Sequence, residues 1–217
     1  MICNTSFNTK IDQKMTSKSF SNSSQNGKKI GLLGGSFNPA HDGHVQMSLF
    51  AMKRLKLDEI WWIVSPQNPL KSKENMDSFD SRLAFAKELV APHKDIIVTD
   101  FESEIQSVHT IDTLRAIKAK ESEIFFVWLM GKDNLSSVHL WKSWQDIFCL
   151  LPIAVFNRSG YSLACQRSQA EVLFAEAECP LASVEELAVS PPPVWVVLDN
   201  ELNPTSATQI RKTSQPT

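Results

Sequence analysis

Two kinds of hydrophobic pattern alternate along most of this 217-residue chain. The first kind is a short apolar run bounded by Gly, Pro or a charged residue, such as KKIGLLGG at 28–35 and EIWWIVSP at 59–66. Runs of this length and composition are typical of strands buried on both faces of a sheet. We therefore predict six strands, at 28–35, 59–66, 95–101, 123–131, 152–158 and 192–199.

The second kind of pattern has apolar residues at helical spacing. In VQMSLFAMKRLKL, Val45, Leu49, Met52 and Leu55 would share one helical face. Similar segments predict helices at 45–57, 80–91, 110–121, 136–148, 168–178 and 206–212. Thr110 or Asp112 lies near the start of the third of these helices, where such residues are favoured.

Six strands that alternate with helices indicate an α/β fold, a Rossmann-like doubly wound parallel sheet with helices on both faces. The crossover connections should be right-handed. Ligands of such sheets bind at the carboxyl ends of the strands, near the point where the strand order reverses.

The first 27 residues differ from the rest. They are rich in Ser, Asn, Thr, Lys and Gln, and their few apolar residues follow no period. We expect residues 1–27 to form a disordered tail and residues 28–217 to form the single domain. The sequence leaves open whether Met1 or Met15 is the true start.

Composition excludes several classes of protein. The net charge is −2 and the isoelectric point about 6.2, so no global field favours a nucleic acid or a membrane surface. No apolar run approaches the roughly 20 residues of a membrane span. The four cysteines form no CxxC pair, and their spacing suits neither a disulfide framework nor a zinc site. We expect reduced thiols and a cytoplasmic protein, and a homo-oligomer remains open.

The segment GLLGGSFNPAHDGH at 31–44 carries the chemistry. It contains four of the seven glycines and two of the five histidines, His41 and His44. A strand that enters a glycine-rich turn and then a helix lets backbone amides approach a phosphate. Neither GxGxxG nor a Walker loop is present. A surface turn with incidental histidines is the plain alternative, and a metal pair would find only Asp42 nearby.

Two motifs in this chain resemble the nucleotidyltransferase superfamily of adenylyl and cytidylyl transferases. GGSFNPAHDGH is similar to its G-G-[ST]-F-[DN]-P-x-H-x-G-H signature, with Asn38 in place of the commoner Asp. TSATQIR is similar to its [ST]-x-T-x-x-R motif. Within the superfamily, the chain resembles bacterial nicotinate-nucleotide adenylyltransferases at SPQNPLK (65–71), VHTIDTL (108–114), GKDNLSSVHLWKSW (131–144) and NRSGY (157–161).

The resemblance implies adenylyl transfer from ATP to nicotinate mononucleotide, a step of NAD biosynthesis. His41, His44 and Arg211 would be the catalytic residues. ATP would be bound by Gly34, Gly35, Ser36, Phe37, Asp133, Arg158, Ser206 and Thr208. Mg²⁺ would arrive with ATP, because no carboxylate cluster in the sequence looks like a dedicated metal cage.

The same resemblance implies a second set of residues for the mononucleotide: Lys71, Thr110 and Trp141. Trp141 would stack on the pyridine ring, although a core tryptophan on an amphipathic helix is a serious alternative. Thr110 would offer helix N-terminal amides to the pyridine carboxylate.

Three other functions stay open on the sequence alone. The acceptor could be nicotinamide mononucleotide or phosphopantetheine, with the same chemistry. The chain could also be a non-catalytic nucleotide sensor on the same fold, although a pure sensor does not need the full set of phosphate-binding groups.

Overall fold

The computed structural model describes residues 27–66, 76–158 and 167–200. Several predictions lie outside these residues: the tail (1–26), Lys71, and the C-terminal segment that carries Ser206, Thr208 and Arg211.

A six-stranded, all-parallel sheet forms the centre of the molecule, as the sequence predicts. Its strands are β1 (Lys29–Gly35), β2 (Glu59–Val64), β3 (Ile96–Thr99), β4 (Phe125–Gly131), β5 (Ile153–Arg158) and β6 (Trp195–Asn200). Their order is β3-β2-β1-β4-β5-β6. The order reverses between β1 and β4, where Leu32 pairs with both Trp61 and Trp128. The carboxyl ends of β1 and β4 are therefore where a ligand site is expected.

Among the described residues, seven α-helices lie between and around these strands. They are α1 (Asp42–Leu55), α2 (Phe79–Val90), α3 (Phe101–Glu104), α4 (Thr110–Lys120), α5 (Lys132–Ser137), α6 (Trp144–Leu150) and α7 (Gln169–Leu173). Short 3₁₀ segments follow at Val138–Leu140, Ala175–Ala177 and Leu181–Val189.

Each face of the sheet has its own hydrophobic core. Leu33 and Trp62 pack with residues of α1 and α2 on one face. Leu32 and Trp61 pack with residues of α4 and α6 on the other. Since successive side chains of a strand point to opposite faces, a strand covered on both sides needs an unbroken apolar run. This explains why the strand predictions were accurate.

The continuous helix predicted at 136–148 is wrong. The chain forms α5, then the 3₁₀ turn Val138–Leu140, and only then α6. Trp141 leaves the turn in extended backbone, and Ser143 has a left-handed φ of 46°. The break keeps Ile147 and Phe148 in the core while Leu140 and Trp141 face a cavity. The helix predicted at 168–178 is likewise shorter, and its second half is a 3₁₀ turn.

The buried face of α1 also differs from the prediction. Leu49 is exposed, and the buried residues include Met47 and Ser48. Ser48 is buried because its hydroxyl accepts a hydrogen bond of 2.9 Å from the indole N–H of Trp62. A buried donor needs an acceptor, so a polar residue occupies a core position.

Cys149 corrects the expectation of reduced thiols, because it is disulfide-bonded. Of the other three cysteines, Cys179 is a free thiol, and the remaining two lie outside the described residues. A disulfide depends on the distance between two Cα atoms in the fold, which sequence spacing does not reveal. Among the described residues, no helix is both long and apolar enough to cross a bilayer.

Candidate active site

The two histidines of the glycine-rich segment meet at the start of α1. His41 is the N-cap residue, in extended backbone, and His44 lies in the first turn. The His44 N–H donates to the His41 carbonyl at 2.8 Å, and the His41 N–H donates to Nδ1 of His44 at 3.2 Å. The two ring centroids are 3.9 Å apart. The structure thus brings both predicted imidazoles together at the N-terminus of a 14-residue helix.

Hydrogen bonding determines which nitrogen of His44 carries the proton. Because Nδ1 accepts the His41 amide, the proton of a neutral His44 ring is on Nε2. The ring is held by the aromatic rings of Phe37, with centroids 5.0 Å apart, and Trp62, at 5.8 Å. Phe37 in turn stacks on Trp62 at 4.8 Å. His44 is therefore an oriented hydrogen-bond donor beside the amides of a helix N-terminus, which suits an anion.

A cavity of about 400 Å³ opens at the carboxyl ends of β1 and β4. Five of the predicted site residues line it: Gly34, Gly35, Ser36, Thr110 and Trp141. It also has a second set of lining residues that the sequence analysis did not single out, among them Ser65, Glu102, Trp128 and Asn134. The predicted phosphate turn and the predicted mononucleotide residues therefore share one cavity.

Trp141 is both a core residue and a cavity residue, the two roles that the sequence left as alternatives. Its side chain is partly buried, packs against the core on the α4 and α6 side, and also lines the cavity. A tryptophan anchored in this way can present one part of its ring to a ligand without a large loss of conformational entropy.

The first turn of α4 forms a further part of the cavity wall. Thr110 is its first residue and His109 its N-cap. The carboxylate of Asp112 accepts a hydrogen bond of 2.9 Å from Lys142 Nζ, so its charge is compensated. Because the first amides of a helix have no intrahelical acceptor, this turn can receive an anionic group.

Comparison with known proteins identifies relatives of this chain. The cytidylyltransferase-like family model matches residues 32–213. A probable nicotinate-nucleotide adenylyltransferase of Methylorubrum extorquens is 42% identical over 183 residues, 84% of this chain and 98% of that protein. The chain belongs to the nicotinate-nucleotide adenylyltransferase family. A second member, from Parvibaculum lavamentivorans, is 42% identical over 86% of this chain and 92% of its own length.

A solved structure supports the fold independently. The nicotinic acid mononucleotide adenylyltransferase of Plasmodium falciparum, complexed with NaAD, superposes with a TM-score of 0.64 at 18% identity. The match covers 85% of this chain and 83% of that one. At this identity the likeness is evidence for the fold alone.

Other residues predicted from the family motifs lie outside the cavity wall or outside the described residues. Phe37 is buried beneath the His44 ring rather than exposed to a ligand. Asp133 is exposed on the first turn of α5, with its carboxylate against the backbone of Gly131. Arg158 ends β5, and its side chain is not among those described. The roles proposed for these three residues remain predictions.

Arg82 is a residue that the sequence analysis missed. It is 2% exposed, and its guanidinium donates to four backbone carbonyls, those of Ser36, Ser65, Pro66 and Asp77. Burial lowers the pKa of Arg82, and the charge of Asp77 opposes that effect. The side chain thereby ties the turn after β1 to the segment after β2. Its signal in the sequence was its spacing, since Arg82, Ala86 and Val90 share the buried face of α2.

We expect Gly34→Ala to lower the stability of the protein, because the turn at Gly34 packs directly on Trp128. A Cβ at Gly34 would lie 2.5 Å from Cη2 of Trp128, whose ring is itself buried. Overpacking of this kind costs about 1–3 kcal/mol in free energy of unfolding. Gly35→Ala is the matched control, since its Cβ would first meet Phe37 at 3.4 Å. Chemical denaturation of both variants tests this, and equal stabilities would contradict it.

Proposed function

We propose that this protein transfers the adenylyl group of ATP to nicotinate mononucleotide, giving nicotinate adenine dinucleotide and pyrophosphate. The observation that carries the proposal is the His41–His44 pair at the N-terminus of α1. Neither histidine lines the cavity, but Gly34, Gly35 and Ser36 of the same segment do. The family relatives carry the same activity in their names.

The reaction needs no nucleophile from the protein. A phosphate oxygen of the mononucleotide would attack the α-phosphorus of ATP, and the bond from that phosphorus to the bridging oxygen of the β-phosphate would break. Pyrophosphate leaves with that electron pair. Since the attacking phosphate is already anionic, the protein contributes position and charge stabilisation.

The histidines supply part of that stabilisation. Nε2–H of His44 would donate to a phosphate oxygen as negative charge develops, and the amides of the first turn of α1 would add to it. We assign His41 the same function. Arg211, Ser206 and Thr208 complete the proposed triphosphate site, with Gly34, Gly35 and Ser36 as the backbone turn and Asp133 and Arg158 as further ATP contacts.

We propose that Mg²⁺ enters with ATP. Among the described residues, no three His, Cys, Asp or Glu side chains group closely enough to hold a metal ion. In the proposed arrangement the phosphate oxygens of ATP would supply most of the ligands of the ion. When bound, the ion would neutralise charge on the departing pyrophosphate.

The mononucleotide would occupy the part of the cavity lined by Thr110 and Trp141. Trp141 would stack on the pyridine ring, and the first turn of α4 would receive the pyridine carboxylate. Lys71 is proposed to contact the mononucleotide phosphate.

We expect the enzyme to prefer nicotinate mononucleotide to nicotinamide mononucleotide. The amides of α4 are donors, and an amide substituent would present its own NH₂ donors to some of them. One unpaired buried polar group costs about 1–3 kcal/mol, or roughly ten- to a hundredfold in kcat/KM. The measurement is the ratio of kcat/KM for the two mononucleotides at saturating ATP.

Equal or amide-favouring ratios would overturn the specificity while leaving adenylyl transfer intact. Trp141→Ala is the companion variant. It should lower kcat/KM for both mononucleotides alike, because stacking on the pyridine ring does not depend on the substituent. Phosphopantetheine as an additional acceptor tests the alternative substrate. Binding of ATP without pyrophosphate release from any acceptor would indicate a nucleotide sensor instead.

The proposed compartment is the cytoplasm, where ATP is available. The disulfide at Cys149 argues the other way, since disulfides are rare in reducing compartments. Alkylation of the protein in freshly lysed cells, followed by mass spectrometry, tests this. Four modified cysteines would support a reducing compartment.

A further inference from the structure

Glu102 is a buried carboxyl group in the cavity wall to which the proposed reaction gives no part. It lies on the short helix α3, directly after β3, and is 6% exposed. Its Oε1 accepts a hydrogen bond of 3.2 Å from the Thr113 hydroxyl. Its backbone carbonyl accepts the Ser107 N–H at 3.1 Å. Glu102 therefore binds the segment Ser107–Thr113 near both of its ends.

That segment is the part of the cavity assigned to the mononucleotide. Val108, His109 and Thr110 all line the cavity. The Thr113 hydroxyl also lies 3.3 Å from the His109 carbonyl, at the N-cap of α4. A shift of Thr113 would consequently move the first turn of α4, whose amides are proposed to receive the pyridine carboxylate.

The hydrogen bonds around Glu102 do not depend on its charge, and its second carboxyl oxygen favours the neutral form. Thr113 has one hydroxyl proton and two oxygen neighbours, the His109 carbonyl and Oε1 of Glu102. The carbonyl already accepts the backbone N–H groups of Asp112 and Thr113, at 3.0 and 3.2 Å, so the Thr113 hydroxyl can donate to Oε1 whether the carboxyl group is ionised or neutral. Oε2 of Glu102 accepts no hydrogen bond of normal geometry from the described residues, and the Ser65 hydroxyl acts on this carboxyl group only by lowering its pKa. A buried oxygen without a full hydrogen bond is costly for an ionised carboxylate.

The charges nearby agree with a neutral group. Lys142 lines the same cavity, but its ammonium is paired with Asp112 at 2.9 Å. Burial raises the pKa of Glu102, and the hydroxyls of Ser65 and Thr113 only partly oppose this. A neutral acid also avoids repulsion of the anionic substrates that the cavity is proposed to bind.

We propose that Glu102 is a positioning residue for the mononucleotide, holding the segment Ser107–Thr113 through hydrogen bonds that do not require its negative charge. The inference rests on the proposed function, because it assigns this segment to the mononucleotide. It adds a residue that acts through Thr113 and the first turn of α4.

Glutamine tests this because it has the shape of a protonated glutamate and can bond to Thr113 in either direction. We expect Glu102→Gln to keep the KM for the mononucleotide within about twofold. Glu102→Ala and Thr113→Val should each raise that KM about five- to tenfold, as expected for one lost buried hydrogen bond. The KM for ATP should change less than twofold in all of them. Glu104→Gln, the same charge change on an exposed residue of α3, is the control.

Binding is measured in parallel, by quenching of tryptophan fluorescence with each mononucleotide, since Trp128 and Trp141 line the cavity. A Gln variant as impaired as the Ala variant would overturn the proposal, as would equal increases in both KM values. If the wild type turns over and none of the variants differs from it, the role of Glu102 is rejected and the proposed reaction stands. If the wild type shows no turnover but the variants bind the mononucleotide with the expected changes in affinity, the proposed reaction is rejected and the role of Glu102 is supported.

Thr113→Val keeps the proposal testable if Glu102→Ala does not fold, because it removes the same hydrogen bond and leaves Glu102 in place. An unchanged mononucleotide KM in a folded Thr113→Val protein would contradict the proposal.

Discussion

His44→Ala should lower kcat by about 10²–10³ while the protein remains folded. Removing one preorganised donor from a site of developing charge typically has an effect of this size. His44 is such a donor, because its ring is oriented by the His41 amide and by contacts with Phe37 and Trp62. Steady-state release of pyrophosphate gives kcat, and circular dichroism gives Tm.

Some loss of stability is expected in the same variant. The His41 amide loses its acceptor on His44, which costs about 1 kcal/mol at a helix N-terminus. His93→Ala, a histidine just after α2 and outside the cavity, is the control for removal of an imidazole. Near-normal kcat in His44→Ala would refute the catalytic role.

Arg82→Met should lower the free energy of unfolding by about 3 kcal/mol and reduce activity with it. The variant removes the donor from four carbonyls, and each buried acceptor left unpaired costs about 1–3 kcal/mol, less where water can replace the donor. Activity should fall because Ser36 and Ser65, both at the cavity, lose their common partner. Urea denaturation measures the change.

Two further variants separate this effect from the loss of a positive charge. Arg82→Lys keeps the charge but lacks the planar set of five donors, so it should restore only part of the stability. Arg115→Met removes a partly exposed arginine whose ion pair with Asp146 is 2.8 Å long, and such pairs contribute less than about 1 kcal/mol. A loss in Arg82→Met no larger than in Arg115→Met would contradict the structural role.

The local sequence pattern was sufficient to predict the strands of the sheet and the glycine-rich segment at 31–44. Each strand is buried on both faces, so its apolar run is continuous and visible without knowledge of its neighbours. The segment 31–44 places a turn, a helix start and two histidines within a few residues, so its geometry is also local.

Features that depend on distant residues were missed or misplaced. Arg82 can be buried only because the carbonyls of Ser36, Ser65 and Pro66 converge on its guanidinium. Glu102 has a side-chain partner only because the fold brings Thr113 against it. The predicted helix at 136–148 is interrupted, and the break lets Trp141 line the cavity while Phe148 is buried in the core.

The sequence by itself thus determined the strands, the order of the main elements and the histidine pair, because those follow from periodicity and short-range geometry. The tertiary structure decided which polar side chains are buried, since a buried charge or hydroxyl is stable only where partners from other elements satisfy it. Arg82, Glu102 and Ser48 are all of this kind, and each is held by groups remote in sequence or on another element.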